Sequence, residues 1–168
     1  MKPRDRAAYA ILVAVVLLAA GFAYFFHPVR EAQLVITAKD GRRLAALRLI
    51  EGRFDHVFVH SIHLTPVEER FVVETDAKGG TELRLFELRY QSLGVGMPSD
   101  AEGGFRLENG RFILTMNRVF KKIPVMVSVV PGHGVTVGQV FHPFTEWVEP
   151  EDLIFLTGRM VLKIKSRR

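Results

Sequence analysis

Hydrophobic and polar residues follow two different patterns along this chain. Ala7 to Phe26 is an apolar stretch of twenty residues without a charge. A helix rising about 1.5 Å per residue covers about 30 Å with that many, the thickness of a bilayer's hydrocarbon core. His27-Pro28 ends it, because proline disfavours helical geometry in the residue before it. Beyond residue 30 the period drops to two, and no long stretch keeps a helical one. Leu34–Thr37 and Leu44–Leu49 flank Asp40-Gly41, a favoured hairpin pair. Phe54–His63 and Val67–Thr75 flank Leu64-Thr65-Pro66, and Thr81–Gln91 follows Gly79-Gly80. Phe105–Leu107 and Phe112–Met116 flank Asn109-Gly110, and Ile123–Val130 runs to Pro131-Gly132. Val135–Val137 and Val140–Phe141 form a short hairpin, Met160–Ile164 a last strand, and Trp147–Leu156 is the place for a helical turn. Strands spaced by about ten residues predict an all-β fold, an antiparallel sandwich or partly open barrel, behind one N-terminal transmembrane helix.

The sharpest local pattern lies in Val67–Thr75. Val67, Glu69, Phe71 and Val73 share one face, and Glu68, Arg70, Val72 and Glu74 share the other. Glu69 therefore stands in an apolar column, where a carboxylate is costly unless partnered. With an even turn centred between Leu64 and Thr65, Ile62 faces Val67, Phe58 faces Phe71 and His60 faces Glu69. Directly opposed Cβ atoms lie about 4.5–5.5 Å apart, so the imidazole and the carboxylate are expected to hydrogen-bond. Two readings follow: an inward polar pair that fixes the strand register, or the polar end of a pocket with Ser61 or Ser92 nearby.

Charge orients the chain. Its net charge is +5, and Lys2, Arg4 and Arg6 precede the apolar stretch against Asp5. The positive-inside rule places residues 1–6 in the cytoplasm, 7–26 across the membrane and the β domain, 30–168, outside. A cleaved signal peptide has an apolar region of about 7–15 residues and a small-x-small site, which Gly21-Phe22-Ala23 matches poorly. The remaining charge is scattered apart from Lys163, Lys165, Arg167 and Arg168, read as a solvated terminus or a contact with acidic lipid. The expected partner is thus the lipid bilayer, and nucleic acid is not expected.

There is no cysteine, which excludes disulfides, thiolate metal sites and cysteine nucleophiles. His56 and His60 share a strand face but lie about 13 Å apart at strand rise, and His60 and His63 face opposite ways. That leaves only a metal site assembled from separate strands, and neither metal nor cofactor is expected. His60 and Ser61 are adjacent on one strand and cannot be each other's catalytic partners. Ser61 or Ser92 with another histidine, such as His133, remains the hydrolase alternative. Gly94 and Gly96 lack the strand–helix context of a phosphate loop; backbone freedom in the long loop Ser92–Gly104 explains them better.

The stretch His60-Ser61-Ile-His-Leu-Thr65-Pro66-Val67-Glu68-Glu69-Arg-Phe71 resembles the first signature of the bacterial family called domain of unknown function 1850. Gln91-Ser92-Leu-Gly94-Val-Gly96-Met-Pro98 is similar to its second. His133 follows Asn117-Arg118 as in that family, and Phe144–Pro150 resembles its closing segment, although Glu151–Gly158 intervenes before the last strand. The resemblance implies a small secreted or anchored domain that often accompanies TAXI-type tripartite ATP-independent periplasmic transporters. It makes a non-enzymatic accessory, meeting a transporter permease or solute-binding protein, the leading expectation. The candidate ligand-binding residues are His60, Ser61, Glu69, Ser92, Gly94, Gly96 and His133.

Overall fold

The structure is a computed structural model that describes residues 3–91 and 104–166. Helix α1 (Pro3–Phe25) contains most of the charge-free stretch and stops before His27-Pro28, as expected. The side chains described in it are those from Ile11 to Phe22 and Tyr24. Among the described residues, no helix is long and apolar enough to cross a membrane.

The strands are β1 (Phe26–Ala38), β2 (Arg43–Arg48), β3 (Arg53–Val59), β4 (Pro66–Thr75), β5 (Thr81–Tyr90) and β6 (Phe105–Glu108). They continue with β7 (Arg111–Phe120), β8 (Ile123–Met126), β9 (Gly134–Val137), β10 (Val140–Pro143) and β11 (Leu153–Ser166). A 3-10 turn, Phe144–Glu146, separates the last two. One compact unit holds residues 31–161; the other comprises 1–30 with 162–168. The larger unit is a sandwich of two antiparallel sheets, one in the order β2-β1-β11-β8 and the other β10-β9-β3-β4-β5-β7-β6. Alternation explains the core between them. Leu34 and Ile36 of β1, Ile154 and Leu156 of β11 and Val125 of β8 are buried from one side. Phe54, Val67, Phe71, Val73, Leu83 and Leu85 are buried from the other. At Gly158 a Cβ would come within 2.8 Å of the Val73 side chain and 3.0 Å of Thr81, so the glycine lets β11 lie close over β4 and β5.

The outer face of the larger sheet is polar, as the parity of β4 requires. Arg70 bonds Asp55 and Glu87, Glu68 accepts from Arg111, and Glu74 from Arg84. A bulge at Phe86 reverses the alternation of β5, because Arg70 and Phe71 of β4 oppose Glu87 and Leu85. The bulge sends Glu87 outward, where Arg70, Arg89 and Arg106 all donate to it. Burial pushes the Glu87 carboxyl up, but these three guanidiniums outweigh it and hold the group below the usual carboxylate range.

Three expectations need correction. Strand β3 stops at Val59 rather than His63. Residues 60–65 form the turn, closed by the His60 N–H to Thr65 O at 2.9 Å and the Leu64 N–H to His60 O at 2.8 Å. Leu64 takes a left-handed φ of 51°, and the His60 imidazole accepts the amide N–H of Ile62, so turn geometry prevails over continued alternation. The helical turn falls at Phe144–Glu146 rather than within Trp147–Leu156, because Leu153–Leu156 pairs with β8 and buries Ile154 and Leu156. Accordingly the last strand starts at Leu153, well before Met160, and β8 ends at Met126, short of Val130.

Candidate functional site

The longer turn shifts the β3–β4 register by four residues. Phe54 faces Phe71, Phe58 faces Val67, and His56, not His60, faces Glu69. An even shift preserves which residues point inward, and because His56 and His60 are four residues apart an imidazole still meets the carboxylate. His56 Nδ1 lies 2.8 Å from Glu69 Oε2. The expected His60–Glu69 pair is not formed because His60 has left the strand for the turn, where its Nδ1 faces the amides of Ile62 and His63.

The chain of contacts goes further. His56 Nε2 lies 2.9 Å from His133 Nε2, and His133 Nδ1 accepts the backbone N–H of Ser128 at 2.8 Å. Both rings are buried. Local backbone geometry puts His133 there. Gly132, at φ +92°, turns the chain, and at Gly134 a Cβ would lie 2.3 Å from His142 O. Glycine alone lets β9 close this tightly on β10. The Phe144 amide bonds His133 O, and the Phe144 ring meets the His133 ring edge-on with centroids 5.0 Å apart.

This network fixes both tautomers. A backbone amide can only donate, so His133 Nδ1 is an acceptor and the hydrogen of the neutral ring is on Nε2. His133 Nε2–H then donates to His56 Nε2, and His56 Nδ1–H donates to Glu69. Every nitrogen in the pair is satisfied. Burial, reinforced by His56 and opposed by Glu69, pushes the His133 pKa down to about 4, so the ring is neutral at physiological pH. Metal ligation at His133 Nε2 would need the other tautomer, whose Nδ1–H would face the Ser128 N–H. Among the described residues no group of three or more His, Cys, Asp or Glu side chains is arranged to hold a metal ion.

The relay borders an open cleft of about 690 Å³, within the range of small-molecule sites, about 300–1,000 Å³. Phe58, Val59, Phe120, Ile123, Val125 and Met126 supply apolar wall. His56, Glu69, His133, His60, Ser61 and Ser128 supply the polar groups. The Glu69 side chain is 28% exposed. Among the described residues its Oε2 takes the His56 N–H and nothing donates to Oε1.

Four of the seven expected site residues, His60, Ser61, Glu69 and His133, thus line one cleft. Ser92, Gly94 and Gly96 lie outside the described residues. His56, the residue in contact with both Glu69 and His133, was missed as their partner. Its signal was present, because it shares the inward parity of His60. A family model described as a domain of unknown function (DUF1850) matches residues 54–144, more than half of the chain, including the β3–β4 hairpin from Phe54 onward, His133 and Phe144. No curated protein and no solved structure matches it.

Proposed function

The chain belongs to the family described as a domain of unknown function (DUF1850), and we propose, from its cleft, that it is a membrane-tethered module that binds a small ligand without transforming it. One observation carries the reading: a carboxylate, steadied on one side by a buried imidazole relay, lines a cleft of about 690 Å³ whose wall also includes Phe58, Phe120, Ile123 and Val125. Preformed, mostly apolar clefts with a few convergent polar groups are the usual form of a small-molecule site.

Two features favour binding over catalysis. His56 Nε2 is occupied by the His133 N–H. His133 Nδ1 is occupied by the Ser128 amide. Neither buried ring has a nitrogen left to serve as base to Ser61, so His56 and His133 drop out as bases for the hydrolase alternative. The tether is the charge-free stretch Ala7 to Phe26, with the basic residues before it placing the domain outside the cytoplasm. A transporter permease or solute-binding protein is the partner to which a captured ligand would pass, as the family resemblance implies.

The test uses the full chain in detergent, with thermal shifts read across a small-molecule library. Met126 is 60% exposed and lines the cleft, so Met126→Trp covers it without touching the core. Binders of the native chain should lose their effect on this variant. A library without binders, or binders indifferent to the substitution, would sink the proposal. The tether is checked separately by fractionation: the chain should stay with membranes through an alkaline wash, and its appearance in the soluble fraction would remove the anchor.

A further inference from the structure

We infer that the cleft selects organic cations, an ammonium group carried on a compact apolar body; this rests on the binding reading above. The inference starts from a charge imbalance. The protein is basic overall, yet the described residues lining the cleft include no lysine or arginine, and Glu69 is their one carboxylate. An anionic ligand would therefore meet a like charge without a compensating cation.

The relay sharpens this requirement. His133 donates through Nε2 because Nδ1 already accepts the Ser128 amide, so His56 Nε2 is a lone pair and not an N–H. The two rings give Glu69 a hydrogen bond and no positive charge. A carboxylate in a mostly apolar recess is stabilised far better by a cation that also donates hydrogen bonds than by a neutral donor. Oε1, which takes no donor among the described residues, is the atom for that contact.

The rest of the cleft suits the remainder of such a ligand. Phe58 and Phe120 provide aromatic faces that attract a cation, and Ile123 and Val125 provide aliphatic wall. Met126, flexible and polarisable, adapts to irregular apolar shapes.

Three probes of matched size separate the alternatives: cyclohexylammonium, cyclohexanol and cyclohexanecarboxylate. Each is titrated calorimetrically at pH 7 into the full chain in detergent, with Met126→Trp run in parallel to subtract uptake by micelles. The ammonium should bind at least about tenfold tighter than the alcohol, and the carboxylate should not bind. Glu69→Gln, which keeps an acceptor for His56, should erase the preference for the ammonium. If the alcohol or the carboxylate binds as well as the ammonium, or the preference survives Glu69→Gln, the ligand class is wrong while the binding cleft stands. If no probe gives a signal beyond that of Met126→Trp, and the library also lacks binders, the cleft reading falls with it.

Discussion

His56 and His133 face each other through their Nε2 atoms at 2.9 Å, and only His133 carries a hydrogen there. The assignment is forced from one end by a backbone amide and agrees with the carboxylate at the other. Nitrogen-15 spectra near pH 7 should show His56 protonated at Nδ1 and His133 at Nε2. The opposite tautomer at either ring would break the relay as described.

A neutral buried histidine ties stability to pH. The folded pKa of His133, about 4, lies below its ordinary value of 6.5. The unfolded chain therefore binds a proton more readily, and this contribution is complete above pH 6.5. It is lost as pH falls towards 4, by up to about 3 kcal/mol. Urea unfolding of the native chain should weaken through that window. His133→Gln, which can still accept from Ser128 and donate to His56, should start less stable but show a flatter profile there. An equal slope in both proteins would count against a neutral His133.

Glu69 separates hydrogen bonding from charge. In Glu69→Gln the side-chain carbonyl can still accept the His56 N–H, so stability should change by less than about 1 kcal/mol. Glu69→Leu leaves that buried donor without its acceptor, and should cost about 1–3 kcal/mol. Denaturation midpoints of the two variants check the ordering, and equal losses would show that the His56 contact carries no stability.

On the opposite face, Glu87 joins Arg70, Arg89 and Arg106 around a side chain only 12% exposed. Its depressed pKa means that its contribution is present above the ordinary carboxylate range and lost as pH drops through the lower folded value. Glu87→Gln should destabilise by about 1–3 kcal/mol at neutral pH, leaving three guanidiniums facing one another. The gap between the two proteins should close in acid, as pH falls through that lowered value. A gap independent of pH would mean that shape rather than charge holds this network.

Gly134 offers a purely steric test. A Cβ there would overlap His142 O at 2.3 Å and the Pro143 backbone at 2.8 Å. Gly134→Ala must push β10 from β9 and drag His133 with it, costing about 2 kcal/mol or more. It should also disturb the His133 ring signals, whereas exposed Gly41, with nothing within 4 Å, should leave them unchanged when altered to Asn.

Alternation alone made most of the β architecture legible. The hairpins around Asp40-Gly41 and Asn109-Gly110, and the inward column of Val67, Glu69, Phe71 and Val73, follow from side-chain parity and turn chemistry, which are local. The same alternation limited the partner of Glu69 to the inward residues of the preceding strand, among them His56 and His60. Which histidine it meets was not local. Six residues, not a tight pair, make the β3–β4 turn, and this moved the partner from His60 to His56 while parity concealed the shift. The contact with His133, 77 residues further along the chain, depends on β9 pairing beside β3, on Gly132 turning the backbone and on Gly134 letting β10 approach. Periodicity records the face of a strand on which a side chain lies. Only the assembled sheets bring faces from distant strands together, and that assembly made a relay and a cleft from scattered polar residues.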